Sequence, residues 1–254
     1  MYRISVYGKG GIGKSTISAN ISYGISSKGL KVLHVGCDPK HDSTRLLTGG
    51  VNQITFMDCL TDQKDTDPVE SGSNGISCVE CGGAFPGIGC AGKGMIRLFD
   101  YLDEHTPDDV DIRIHDVLGD VVCGGFSVPM RKENTDAVIL VVSEEFMSLY
   151  AANNILRGIK NLNDTPCILG LIVNSRAPEL SANVREFSIA TGLEIIGSIS
   201  KDAVFSKAEI IGNTVLELFP ESESASELNE IVEAVINASE GYAELKSPQP
   251  ISEE

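Results

Sequence analysis

The sequence predicts a doubly wound α/β fold with a mostly parallel sheet. Three observations point there. Short apolar runs rich in β-branched residues lack the alternation of a half-exposed strand, so both their faces are expected to be covered. Helical patterns separate most of these runs, and β-α alternation implies parallel strands joined by right-handed crossovers. A glycine-rich turn lies between the first run and the first helix, at the carboxyl end of a strand, where such sheets bind ligands.

Taken in order, residues 3–7 form the opening strand and 14–27 the first helix, followed by a strand at 31–35. Residues 49–94 are irregular and rich in Gly, Ser and Asp; loops of that length are usually functional or mobile. Strands are expected at 112–115, 137–142, 167–173 and 194–199, with helices at 146–159, 180–191 and 203–211. The last helix, 222–239, carries Leu228, Ile231, Val232 and Val235 on one stripe. No linker or repeat interrupts the pattern, so residues 1–254 read as a single domain, with an acidic tail at 241–254 frayed or extended over the surface.

The chain has 36 acidic and 20 basic side chains, a formal charge of −16, with 42% apolar and 22% charged residues. That composition is ordinary for a globular protein and sufficient for a full core. The negative charge repels a phosphate backbone, so nucleic acid is not an expected partner. A single nucleotide in a local nest of positive charge remains compatible with it. Much of the acid is terminal: residues 217–254 hold ten Glu against one basic residue, Lys246, which reads as a solvated helical face plus tail. The opening MYRISVYGKG has no apolar signal region, and no run approaches the ~20 apolar residues of a membrane span. The expected location is the cytoplasm, with no membrane partner. Disulfides are then unlikely for the seven cysteines, Cys37, Cys59, Cys78, Cys81, Cys90, Cys123 and Cys167. They call for explanation as packing residues, metal ligands or redox groups.

Residues 8–15 read G-K-G-G-I-G-K-S and satisfy G-x-x-x-x-G-K-[ST] directly between strand and helix, the context that motif requires. The backbone of Gly8, Gly10, Gly11, Ile12 and Gly13 can curl so that its N–H groups face phosphate oxygens. The helix start at Lys14, Ser15 and Thr16 adds the positive end of its dipole. Lys14 is expected on the β- and γ-phosphates and Ser15 on Mg²⁺. The second lysine, Lys9, makes the loop resemble that of the P-loop NTPases of deviant Walker A type. In that group such a lysine reaches the partner subunit's nucleotide and supplies charge to the transferring phosphoryl group.

Two acidic segments follow strands. Asp38 and Asp42, in G-C-D-P-K-H-D-S-T-R, stand where a metal-shell or water-orienting carboxylate is needed. Asp116 ends an apolar strand in the manner of a Walker B aspartate, Gly119 lets the following chain swing, and Asp120 is positioned to polarise a water. Cys90 lies in G-I-G-C-A-G-K-G and Cys123 in V-V-C-G-G-F; glycine neighbours let backbone N–H groups approach sulfur. Two ligand schemes are open on spacing. One chain gives four thiolates, Cys78-x-x-Cys81 with Cys90 and Cys123, or two chains share one cluster with two ligands each.

The strings YGKGGIGKST, GCDPKHDSTRLL, CVECGGAFPGIGCAGKG, DVLGDVVCGGF and EEFMSLYAANNI, in that order, resemble the nitrogenase iron protein family over about residues 1–219. That family includes the nitrogenase reductase, the L subunits of light-independent protochlorophyllide and chlorophyllide reductases, and the reductase component of nickel-tetrapyrrole synthesis. The resemblance implies a homodimer with one [4Fe-4S] cluster held by Cys90 and Cys123 of each chain, which replaces the C-x-x-C pair as ligands. It also implies MgATP and MgADP as cofactors and a larger nitrogenase-like catalytic component as electron acceptor. Ferredoxin or flavodoxin is the implied donor. Lys9, Lys14, Ser15, Asp38, Lys40, Asp42, Asp116 and Asp120 match nucleotide and switch positions, and Asn174 matches an adenine contact. Cys78 matches a cysteine near the cluster that is not a ligand.

Several residues depart from the nitrogenase branch. Cys81 replaces Ser, His41 replaces Ala, and Ser200-Lys201-Asp202 and Ser206 alter the nucleoside side. Lys93 replaces an Arg that is both a docking residue and a site of ADP-ribosylation, so that modification is not expected. This mixture implies a nitrogenase-like homologue of unassigned pathway. The rival readings are a partition or septum-type ATPase and a metal-insertion or iron–sulfur scaffold ATPase, neither of which transfers electrons.

Overall fold

The computed structural model describes residues 1–62, 66–83, 91–119, 128–162, 164–175 and 180–252. In chain order the elements are β1 (Tyr2–Gly8), α1 (Lys14–Ser27), β2 (Val32–Cys37), α2 (Phe56–Asp62), β3 (Glu70–Ser71), β4 (Ser77–Glu80), α3 (Ala91–His105), β5 (Ile112–Val117), β6 (Ala137–Val142), α4 (Phe146–Lys160), β7 (Cys167–Asn174), α5 (Ala182–Thr191), β8 (Ile195–Ile199), α6 (Ala203–Ile211), α7 (Val215–Leu218) and α8 (Glu223–Ser239). The strands make one sheet of order β3-β4-β2-β5-β1-β6-β7-β8. Every pairing is parallel except that of β3 with β4.

Strands β2, β5 and β6 are buried along their whole length; β6 is apolar throughout, whereas β2 buries His34 and β5 buries Arg113, His115 and Asp116. One core lies under α1 and α8, with Ile17, Ile21, Val232 and Val235 closing on Ile4 and Val6. The other lies under α3, α4 and α5, where Leu98, Ile155 and Phe187 meet Leu33, Val35 and Leu140. Each fully buried aliphatic side chain contributes about 2 kcal/mol. The chain leaves β1 toward β2 and β4, then returns through β5 and crosses to β6, β7 and β8. That reversal opens a crevice at the carboxyl ends of β1 and β5. No described helix is long and apolar enough to cross a membrane.

One expectation needs correction. The stretch 49–94 is not simply irregular: it contains α2, β3, β4 and the start of α3. The A-G-K-G opening of α3 reads locally as loop, yet Met95, Leu98, Phe99 and Leu102 form a buried stripe at i, i+3, i+4 and i+7. Strand β4 has four residues, and its state is set by pairing with β2, from Leu33 opposite Ser77 to Gly36 opposite Glu80. Of the two forms expected for the tail, the described residues take the extended one, laid along β7 and α4. Lys246 and Ile168 exchange backbone hydrogen bonds of 2.7 and 2.9 Å. Further along, Asn153 of α4 donates to the Ile251 carbonyl at 3.0 Å and accepts from its N–H at 2.7 Å.

Candidate nucleotide site

β1 delivers the chain to the crevice at Gly8, and the loop then turns into α1. Gly13 adopts φ 95°, left-handed backbone that suits glycine, and a Cβ there would stand 2.7 Å from Asn174 Nδ2. Asn174, at the end of β7, donates to the Ile12 carbonyl at 2.7 Å and braces the loop from the other half of the sheet. Lys14 is buried, and its Nζ donates to the Lys9 carbonyl at 3.2 Å across the mouth of the loop. Lys9 itself points outward, with Nζ 3.4 Å from Glu145 Oε2. Both side chains of that pair are more than a third exposed, so it contributes at most about 1 kcal/mol and is easily exchanged.

Gly10, Gly11, Gly13, Lys14, Ser15 and Thr16 line a cavity of about 330 Å³, closed on the far side by Asp38, Lys40, Asp42 and Gly119. The loop after β2 is folded back to achieve this. Asp38 Oδ1 accepts the Lys40 N–H at 2.9 Å, the His41 N–H reaches the Asp38 carbonyl, and His41 takes φ 46°. After β5 the chain lies directly on the phosphate loop: a Cβ on Gly119 would stand 2.7 Å from Gly10 Cα. Only glycine permits that approach.

Asp116 is buried behind the cavity lining, 2% exposed, with Ser15, Lys14 and Ser43 as neighbours. Ser43 donates to its Oδ2 at 2.6 Å, while Oδ1 has no hydrogen-bond partner. Burial pushes this carboxyl up, against the hydroxyls of Ser15 and Ser43 and the charge of Lys14. A buried acid with one oxygen uncommitted, beside Ser15, suits the shell of Mg²⁺. A neighbouring cavity of about 410 Å³ shares Gly13 and Thr16 with the first and extends past Asn174 and Ser175 to Ser200, Lys201, Asp202 and Phe205. Asp202 caps α6 by accepting the Val204 N–H, and its other oxygen takes the Ser224 hydroxyl, which fixes that wall. The two cavities meet at Gly13 and Thr16 in one groove, whose glycine-loop end has the shape and charge to suit phosphates (the phosphate end) and whose other end would suit a nucleoside.

Most of the residues expected from sequence therefore converge here: Gly10, Gly11, Gly13, Lys14, Ser15, Thr16, Asp38, Lys40, Asp42 and Asp116 at the phosphate end, with Gly8 and Ile12 in the loop backbone. Asn174 stands at the junction and Lys9 at the rim. Asp120, Cys90 and Cys123 lie outside the described residues. Lys93 is exposed on the first turn of α3. Three residues escaped the sequence reading. Glu80 is fully buried and accepts both the N–H and the hydroxyl of Thr44, at 2.7 and 2.9 Å. Burial pushes its carboxyl up to about 8, and the Thr44 bonds only partly oppose that. His34 and Ser43 form a second buried link, 2.8 Å from Nε2 to the hydroxyl. Their roles depend on β2, β4 and β5 lying side by side, which no local pattern announces.

The C-x-x-C pair does not act as one. Cys78 packs into the α1 core and Cys81 into the α3 core, on opposite faces of the sheet. Burial pushes each thiol up to about 12, so both are neutral at ordinary pH. Among the described residues no group of three or more His, Cys, Asp or Glu could hold a metal. Cys37 is likewise buried and pushed up, consistent with packing.

A family model described as 4Fe-4S iron sulfur cluster binding proteins, NifH/frxC family, matches residues 2–254. The nitrogenase iron protein of Methanospirillum hungatei is 43% identical over 246 residues, covering 93% of this chain and 88% of that protein. Nitrogenase iron protein 2 of Methanothermobacter thermautotrophicus is 43% identical over 260 residues, covering 100% and 95%. Among solved structures, the septum site-determining protein MinD of Pyrococcus horikoshii, complexed with Mg-ADP, superposes with a TM-score of 0.76 at 21% identity, covering 96% of this chain and 99% of that one. A ParA family ATPase from Chlorobium tepidum gives 0.72 at 19% identity, covering 91% and 97%. Those two likenesses show the shared fold alone.

Proposed function

The chain belongs to the NifH/frxC family of 4Fe-4S iron–sulfur cluster binding proteins, and from that premise we propose that it is an ATP-gated donor of single electrons to a larger, nitrogenase-like catalytic partner. The observation that carries this reading is the segment after β5. Asp116 lies buried against Ser15 and Lys14 of the phosphate loop and Gly119 rests on that loop, while Cys123 follows four residues later. One short stretch thus ties the nucleotide to a cluster ligand, so a change at the γ-phosphate can move the cluster.

The loop N–H groups and Lys14 bind the phosphates. Mg²⁺, held through Ser15 and the shell at Asp116, would neutralise charge on the β- and γ-phosphates. Asp38 and Asp42, with Asp120, are assigned to the attacking water and the metal's outer shell, and Lys40 to the phosphate rim. Asn174 and the Ser200–Asp202 wall take the nucleoside. Lys9 exchanges Glu145 for the nucleotide of a second subunit. Phe146, Met147 and Tyr150, exposed beside that ion pair, support a subunit contact on the same face. The [4Fe-4S] cluster, held by Cys90 and Cys123 of two subunits, supplies a one-electron redox centre when bound. Reduced ferredoxin or flavodoxin is the proposed donor, and the cytoplasm the proposed location.

The test is iron content after anaerobic purification, residue by residue. About four irons per dimer are expected from a [4Fe-4S] centre, lost in Cys90→Ser and Cys123→Ser and kept in Cys78→Ser and Cys81→Ser. A folded, iron-free ATPase would overturn the proposal and favour the partition-type reading.

A further inference from the structure

His34, in the middle of β2, is fully buried, and no sequence motif marks it. Its Nδ1 lies 2.8 Å from the Ser22 hydroxyl of α1, and its Nε2 lies 2.8 Å from the Ser43 hydroxyl. Ser43 in turn stands 2.6 Å from Asp116 Oδ2. All four side chains are buried. Counting protons along this chain fixes its direction. A hydroxyl has one hydrogen. Asp116 holds a cation only as a carboxylate, which can only accept, so in that state Ser43 spends its hydrogen there. Ser43 must then accept from His34, which puts the imidazole hydrogen on Nε2. His34 Nδ1 is left as an acceptor and takes the hydrogen of Ser22. Burial lowers the imidazole to about 3, so it stays neutral and has one hydrogen to place.

Resting on the nucleotide-site reading above, we propose that His34 is a positioning residue for the metal-binding carboxylate. Held as the Nε2–H tautomer by Ser22, it forces Ser43 to donate to Asp116 Oδ2, and so leaves Oδ1 available to the Mg²⁺ shell. Without the imidazole, Ser43 has no donor behind it and its hydroxyl is free to rotate. Asp116 then loses the bond that sets its rotamer. The link also joins α1, which begins at the phosphate loop, to the segment of Asp42 and Ser43 and to the strand that leads to Cys123. The three parts that must agree on the presence of a metal-bound nucleotide thus share one hydrogen-bond chain.

The test uses the full chain and ADP, with and without Mg²⁺, measured by titration calorimetry. For the wild type, Mg²⁺ should tighten ADP binding. His34→Leu should reduce that tightening by about tenfold, the equivalent of one charge-assisted hydrogen bond, while leaving Mg²⁺-free ADP affinity unchanged. His34→Gln, whose amide N–H can replace the Nε2–H, should restore most of it. Ser43→Ala should match His34→Leu, and the double variant should lose no more than either single one, as expected for two members of one chain. A loss that is equal with and without Mg²⁺, or no rescue by Gln, would make His34 merely structural and overturn the proposal. A wild type that binds ADP without any response to Mg²⁺ would overturn the nucleotide-site reading itself. Because a leucine here could unfold the chain, a second readout uses the wild type alone: ¹⁵N-histidine NMR should find His34 protonated at Nε2. Protonation at Nδ1 would contradict the mechanism directly.

Discussion

Ser43 and Thr44 are adjacent residues gripped by two different buried acids. Asp116 takes the Ser43 hydroxyl on the nucleotide side, and Glu80 takes the N–H and hydroxyl of Thr44 on the β4 side. Both carboxyls are buried, and burial pushes both up. What separates them is the company each keeps. Asp116 faces Lys14 and has hydroxyls from two sides, whereas Glu80 faces Thr44 and feels the repulsion of Asp116 and Asp42. Equal burial therefore leaves two acids in different company: Asp116 beside a lysine and two hydroxyls, the setting proposed for a cation, and Glu80, pushed up to about 8, a protonated latch on Thr44.

The largest expected effect comes from removing the charge on the nucleotide side. Asp116→Asn should fold normally but lower MgATP hydrolysis by roughly 10²-fold, the scale of losing one electrostatic stabiliser in a closed site. The matching change on the other side, Glu80→Gln, should leave hydrolysis at pH 7 within about threefold, since it copies a group already neutral. If the two variants lose activity equally, the division of labour between the acids is wrong.

The second expectation concerns pH. The folded carboxyl of Glu80, near 8, lies above its unfolded value. Between the two values the folded state holds a proton that the unfolded state has released, so stability falls as pH rises across that window. The slope is at most about 1.4 kcal/mol per pH unit for one proton. Glu80→Gln should flatten that stretch of the urea-denaturation profile; an unchanged profile would remove Glu80 as its source.

A smaller effect is expected at the latch itself. Thr44→Val deletes one of two bonds to Glu80 and should cost about 1 kcal/mol in denaturant unfolding. The smallest is at the rim, where Lys9→Ala should change monomer stability by no more than about 1 kcal/mol. Its effect on hydrolysis should be far larger, which would separate a weak ion pair within one chain from a role across the dimer.

These residues also mark what sequence alone could supply. The phosphate end was legible because backbone shape decides it: Gly8 to Ser15 can be read as a loop without knowing what lies beside it. Asp116 was legible because an apolar strand ends there. Glu80, His34 and Ser43 were not, since their meaning arises only when β2 lies between β4 and β5. The same limit left the C-x-x-C scheme at Cys78 and Cys81 open on spacing. Three residues apart they look like a ligand pair, but a strand sends them to opposite faces. Helix α3 was hidden by its glycine-rich first turn, although its buried stripe was present in the letters.

The central claim is that nucleotide state moves the cluster through the segment from Asp116 to Cys123. Its most direct test is the rate at which an iron chelator strips the reduced, anaerobically purified dimer. With MgATP the rate should rise well above that with MgADP or no nucleotide, and Asp116→Asn should abolish the rise. Equal rates in all three nucleotide states would contradict the account.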